Sequence, residues 1–452
     1  MRTPRPLAWL VSALLVACSS DKASAPTPPP AAVASVSITG LPDSATVGDV
    51  LTLTASVRDA AGATLSGRAV TWAVSDTLTA TISATGALTV VGHGPFTVTA
   101  TSEGKSATAT GRGILTRAAN RFAYALVIGG ANSATTSRVH NATGGGVRAT
   151  LSGGNVIVTF ERMARADSSW RETVMVTRSG SLATHCHLNG WGPAANRRDL
   201  EASVSCYATD GTKLPGTFSI LVFGNGTLEG RHGFVESTDS AITHTPAGAR
   251  WYNSSGQAMV VNRTGAGGYR VDVNNPRATG KVENYFVSTI GPYGTTCILS
   301  GWSFGTSSNV SCNRLGNVGA DARFAKQLIE AGRPGRRWAL GWNDQPSRPV
   351  DVEGAMLSTY AMSSNGQPIR IVRTTSGLAT NGVYDVRFLG MGALASQSYN
   401  LQVSAYASGT VTCTPDSSAA VNGGADLEVR VLCFGRYDGA PTNAYFTILL
   451  IE

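Results

Sequence analysis

The 452-residue sequence lacks the marks of several large functional classes. Long helical periodicities are missing, which argues against helical architectures. Its apolar run from Leu7 to Ala17 falls short of the roughly 20 residues a membrane-crossing helix needs. No H-E-x-x-H, G-x-S-x-G, EF-hand loop or Rossmann fingerprint occurs, so the usual signatures of zinc peptidases, serine hydrolases, calcium binders and dinucleotide enzymes are absent. "EGKS" at Glu103–Ser106 is only a fragment of a phosphate loop. Position 99 is Thr where that loop wants Gly, and the context alternates like a strand. Charge is scarce too. The formal net charge of +8 becomes +6 if Arg2 and Arg5 are removed with a leader. Spread over the chain, this is no nucleic-acid footprint, which would need clustering on one face. The densest basic spot, "GRPGRRW" with Arg333, Arg336 and Arg337, falls where two repeats meet and is expected to be an exposed linker.

What is present is glycine, 52 residues of it, with abundant Thr, Ser and Val in alternating runs broken by turn dipeptides. That pattern predicts an all-β, multi-domain protein.

At the N-terminus two arginines precede the apolar run, as in a secretory signal of residues 1–17. Leu15-Val16-Ala17-Cys18 resembles a bacterial lipobox. The resemblance implies cleavage before Cys18, a diacylglyceryl thioether on its sulfur and an acylated amino terminus. More than one acyl chain gives stable anchorage. Ser19 after the cysteine resembles the outer-membrane sorting pattern. An ordinary signal peptide with a cysteine nearby is the alternative. Residues 18–34 include the uncharged "SAPTPPPAAVA", a semi-rigid, polyproline-like spacer.

Residues 35–112 read as a small β-sandwich, with short alternating segments between turn residues. In "LTLTASV", Leu51, Leu53, Ala55 and Val57 share one face. Trp72 lies mid-strand, where sandwiches bury a tryptophan. The order "VG-D-x-LTLTA … VTWAVSD … ATIS-x-x-G-x-LT … G … FTVTAT" resembles the bacterial Ig-like group 2 (BIG2) domain, with Gly48, Trp72, Ala80, Ile82, Gly86 and Gly94 at the family's marked positions. The resemblance implies an Ig-like fold without catalysis, as in surface adhesins and intimin-like proteins, where such domains serve as spacers or binders.

The remainder contains a diverged repeat of roughly 105 to 120 residues, in copies at 120–223, 233–331 and 336–452. "CHLNGW" from Cys186 and "CILSGW" from Cys297 share C-x-L-x-G-W. The third copy has "CTPDSS" from Cys413 instead. Each copy then carries a second cysteine ending an alternating strand, at Cys206, Cys312 and Cys433, and a later phenylalanine, Phe218, Phe324 and Phe446. Upstream, Tyr269 of the second copy pairs with Tyr384 of the third, while the first keeps only "ATLSGGNVIVTF". Alternation in "DLEVRVLCF" puts the second cysteine on a buried face.

Seven cysteines thus divide into Cys18 for lipid and one pair per copy: Cys186–Cys206, Cys297–Cys312 and Cys413–Cys433. Six cysteines allow fifteen connectivities. The repeat selects this one, each copy stapled independently, in an oxidising compartment. Metal binding by the thiols is disfavoured, because no C-x-x-C occurs and no histidine recurs across copies.

His185 and His187 flank Cys186 and would share one strand face, a geometry that could hold a metal. Thr296 and Ile298, and Thr412 and Thr414, take these places elsewhere, so a surface pair is expected. Asp272, Asp385 and Glu428 are expected singly on solvent faces. Trp191 and Trp302 sit at a fixed offset from a disulfide cysteine, which favours packing against that bridge over sugar stacking. Trp338 and Trp342, without counterparts in the other copies, are the candidate ligand-facing aromatics. The expected fold is one Ig-like β-sandwich followed by three disulfide-stapled β-sandwich-like or barrel-like repeats. The expected role is non-catalytic display, spacing or adhesion, extracytoplasmic, with the membrane as partner through the lipid anchor and a cell-surface glycan or protein as a further one. The alternative is a carbohydrate-binding surface protein. No nucleic acid, cofactor, metal or catalytic residue is expected.

Overall fold

The computed structural model describes residues 30–452 apart from 93, 115–120, 165–170, 181–183, 197, 315, 376–380 and 407–410. The lipidation assignment at Cys18 and the signal therefore lie outside the described residues.

The first module is built as its alternation requires. Ala45–Thr46, Lys105–Ile114, Gly94–Ser102 and Thr71–Val74 form a four-stranded sheet in that order, and Val50–Thr52, Ala87–Val90 and Ala80–Ile82 a three-stranded one. Ser35–Thr39 pairs with Thr54–Arg58. Leu53, Leu88, Val90, Phe96 and Val98 fill the space between sheets. Trp72 is half-buried against that core rather than enclosed by it. Gly86 explains its own identity. Its φ is +82°, and a Cβ there would lie 2.7 Å from Leu53 O and 3.2 Å from the Trp72 ring, so only glycine fits.

Each of the three copies is a sandwich of an inner and an outer sheet. In the first, the inner sheet runs Ala134–Asn141, Phe122–Gly129, Phe218–Gly224, Glu172–Arg178. The outer sheet runs Val147–Ser152, Asn155–Phe160, Leu200–Ala208, Thr184–Pro193. The faint "ATLSGGNVIVTF" match is thus the hairpin equivalent to Val260–Gly265 with Gly268–Asp272, and to Ile369–Arg373 with Val383–Phe388. The cysteines of each pair face each other across adjacent antiparallel strands and are bonded. A bulge follows the first cysteine in all three copies, at Leu188/Gly190, Leu299/Gly301 and Pro415/Ser417.

The copies are not independent units, as the repeat alone suggests. The first copy's outer sheet joins the second copy's inner sheet through a parallel bridge, Leu188 to Ile290, and the second joins the third through Leu299 to Tyr406. The third returns to the first where Gly180 N–H donates to Pro415 O at 2.9 Å. Three sandwiches therefore close into a ring with a pseudo-threefold axis. Each keeps a core of its own. The outward faces of the inner strands pool a fourth core on the axis, from Phe122, Phe223, Phe286, Ile329, Leu449 and Ile451 among others. Alternating strands that bury both faces, one inward to the sandwich and one to the axis, read as near-continuous apolar runs, as in "FSILVFG" and "YFTILLI".

A polar cavity on the threefold axis

Residues 176–178 and 185–187, 287–289 and 296–298, and 403–405 and 412–414 together line a cavity of about 70 Å³ on the axis. Three hydrogen bonds run in a circle through its lining residues. Val176 N–H donates to Ser288 Oγ at 3.1 Å, Val287 N–H to Ser404 Oγ at 3.4 Å, and Val403 N–H to Thr177 Oγ1 at 3.1 Å. These hydroxyls stand in for ladder partners that the neighbouring copy does not offer at those amides.

The cavity wall departs from threefold symmetry in the first copy. Arg178 stands where the others have Thr289 and Ala405. Its Nε donates to Thr184 Oγ1 and its Nη1 to Thr217 O at 3.2 Å, and burial lowers its guanidinium to about 10. His185 and His187 are not a surface pair: they are 5% and 2% exposed, covered by Tyr207 and by Tyr293 of the second copy. Pro292 O lies 3.3 Å from His187 Nδ1 and Thr296 Oγ1 lies 3.0 Å from Nε2. The carbonyl can only accept, so Nδ1 carries the proton and Nε2 accepts from the threonine. Burial, then the charge of Arg436, depresses His187 to about 3. His185 falls to about 2 from burial, then Arg436, then His187, and its Nε2 is buried without a partner. The rings are 5.2 Å apart, but His187 has both nitrogens engaged. Among the described residues no group of three or more His, Cys, Asp or Glu gathers for a metal.

The aromatic candidates are placed differently from expectation. Trp338 is 6% exposed and belongs to the axial core. Phe122 and His232 occupy its position in the other copies, since all three oppose the last core residue of the neighbouring strand. Trp342 is half-buried at the seam between second and third copies, in a cluster with Trp302, Tyr360 and Tyr406 at centroid distances of 5.2, 4.6 and 5.4 Å. These contacts are edge-to-face, so the rings cover one another rather than lying in a row. Trp302 packs on the second copy's core and Trp191 on the first's. A larger cavity, about 580 Å³, opens at the same seam, with Arg277 and Lys281 on one side and Met356, Met362 and Gln367 on the other. It is roomy enough for a small ligand.

The carboxylates are paired, not solitary. Asp385 accepts from Arg430, Glu428 from Arg387 and Asp272 from Arg270. The "GRPGRRW" segment is not a free linker either: Arg333 lies 4.5 Å over the Phe122 ring, and Arg337 pairs with Glu452 at 2.9 Å. The pairing of Tyr269 with Tyr384 has a physical basis. Tyr269 OH donates to Ser240 O and accepts from Ala322 N–H, while Tyr384 OH donates to Pro346 O and accepts from Ala444 N–H. Arg436 and Tyr293, which complete the surroundings of the histidines, are outside every repeated motif. Their departure from the repeat was the available signal.

Residues 32–111 match the family model of the bacterial Ig-like domain (group 2). Among solved structures, invasin, a bacterial integrin-binding protein, is 12% identical over 91% of this chain and 79% of its own, with a TM-score of 0.21. Domains 1–6 of the surface layer protein SbsC are 13% identical over 89% of this chain and 49% of their own, with a TM-score of 0.15. A search of curated proteins finds no match to the chain.

Proposed function

We propose that the protein works outside the cytosol as a lipid-anchored surface protein, its group 2 Ig-like domain a spacer or binder and its threefold ring a non-catalytic body for adhesion or display. The observation that supports this most is the disulfide in every copy of the ring, since such bonds form and persist in oxidising compartments. The Ig-like match at residues 32–111 and the lipobox-like "LVAC" before Cys18 point the same way. Metabolic labelling with palmitate tests it. The wild type should take up label and partition with membranes, and Cys18→Ser should do neither. Unlabelled wild-type protein with seven free thiols would end the reading.

Carbohydrate binding is the second reading, supported by the cavity and half-exposed rings at the seam. A glycan array probed with the oxidised protein should then give signals that Tyr360→Ala and Arg277→Ala remove.

A further inference from the structure

Where repeats build a closed ring, residues common to all copies serve the fold, and residues special to each can serve something else. Three such residues meet at one point. His185 precedes the first cysteine where the other copies have threonine, and Tyr293 lies four residues before its cysteine where they have Leu182 and Gly409. Arg436 lies three residues after the second cysteine where they have Thr209 and Leu315. Tyr293 stacks on His185 with centroids 5.3 Å apart, and the charge of Arg436 opposes protonation of His185.

Arg436 is 2% exposed. Its Nη1 donates to Asn313 O at 3.3 Å and to Tyr437 OH at 3.2 Å. Its Nε and Nη2 are buried and have no partner. Those two N–H groups form one edge of the guanidinium, the edge that meets two oxygens of a carboxylate or phosphate side by side. Arg348 also leaves this edge without a partner, but its side chain is only half-buried, and two other arginines have it filled. Arg430 gives it to Asp385 at 2.8 and 3.0 Å, and Arg263 gives it to Asp321 at 3.1 and 2.9 Å. No ion pair of the described residues involves Arg436, whose Nε and Nη2 find no partner among them. A buried guanidinium without a counter-charge is costly, and each unpaired buried group calls for an explanation.

We propose that Arg436 holds a small oxyanion on its Nε and Nη2 edge, at the junction of the three copies, with the unpaired His185 Nε2 beside the same junction. The enclosure of the guanidinium favours a free ion over the end of a large partner. Two-oxygen recognition suits sulfate, phosphate or a simple carboxylate.

The test is thermal unfolding of the full oxidised chain, titrated with sodium sulfate, phosphate or acetate at constant ionic strength set by chloride. The wild-type midpoint should rise by about 2 °C or more and saturate in the millimolar range. Arg436→Leu, which installs the second copy's residue, should lose the saturable part, and Arg436→Lys should keep a weakened one. The sulfate, phosphate and acetate arms decide which head group is preferred. Ion chromatography gives an independent reading: wild-type protein dialysed to equilibrium against the saturating anion should hold one equivalent more than its dialysate, and Arg436→Leu none. If Arg436→Leu does not fold, the Lys variant and the ion count still decide. Equal, unsaturating rises in wild type and variants, or an anion-free protein with no saturable response, would overturn the proposal.

Discussion

Replacing Lys326 with isoleucine should stabilise the ring. Lys326 sits in Arg323–Ile329 opposite Val287, where the first copy has Ile220 opposite Val176 and the third has Ile448 opposite Val403. It is fully buried, its Nζ has no hydrogen-bond partner, and its one visible consolation is the Tyr285 ring 4.0 Å away. Burial lowers the amine from 10.5 to about 7, against the opposing pull of Glu283. A fall of that size corresponds to roughly 5 kcal/mol of penalty on the charged form. That figure is a ceiling, because isoleucine forfeits the ring contact, about 2 kcal/mol when desolvated, and leaves some of the lysine's volume unfilled. The net gain expected is about 2–3 kcal/mol at neutral pH. Its pH dependence follows from linkage. Below pH 7 native and unfolded chains both hold the proton, and the penalty is complete. Between about 7 and 10.5 the unfolded chain holds more protons than the native one, so wild-type stability rises with pH. The advantage of Lys326→Ile should therefore be largest at pH 6–7 and shrink towards pH 10. Urea unfolding followed by tryptophan fluorescence, with disulfides intact, at pH 6.5 and 9.5 reads both. A variant less stable than wild type at pH 6.5, or an advantage equal at the two pH values, would refute the reasoning. Lys326→Met, closer in volume, controls for packing.

Other perturbations have equally definite outcomes. Changing Cys297 and Cys312 both to serine should cost about 3 kcal/mol and, because the second copy's sheet continues into the third, should lower the ring's single calorimetric transition rather than split it. Tyr384→Phe removes the acceptor of Ala444 N–H and the donor to Pro346 O, and should cost about 1–3 kcal/mol in chemical denaturation. Gly382→Ala places a Cβ 2.1 Å from Cys433 O at a φ of +70°, and should cost more than the usual 1 kcal/mol of a left-handed strain, read as a loss of folded yield or midpoint. Wild-type stability should fall as pH drops from about 6.5 towards 3, where the unfolded chain protonates histidines that stay neutral in the native one. Converting His185 and His187 to threonine, as in the third copy, should flatten that acid limb in pH-dependent denaturation.

Local pattern revealed the local structure. Alternation in "LEASVSC" and "DLEVRVLC" put the second cysteines on buried faces, and repetition paired them with the cysteines now seen across adjacent strands. Closure of the ring was not legible, because its seams are small and chemically plain: a bridge from Leu188 to Ile290, another from Leu299 to Tyr406, and hydroxyls of Thr177, Ser288 and Ser404 that resemble any strand hydroxyl. Missing the ring meant missing the second buried face of each inner strand. Trp338 therefore read as exposed when it fills the axis beside Leu449 and Ile451. The histidines were misplaced for a related reason. Their cover comes from Tyr293, 108 residues past His185, in a copy whose own equivalents offer no hint. Arg436 shows the opposite case, in which the missing match to the repeat is itself the signal.

Circularity has a price in parts. A lone copy would carry an outer sheet with nothing to lean on and an inner sheet with nothing leaning back, and a pair would leave one such mismatch at each end. Fragments of one or two copies should consequently self-associate until the tally reaches a multiple of three, and size-exclusion chromatography of a single-copy fragment would show a trimer as its smallest well-behaved species. Covalent tethering of three relieves the protein of that concentration dependence, and it frees each copy to place a different side chain at the shared hub.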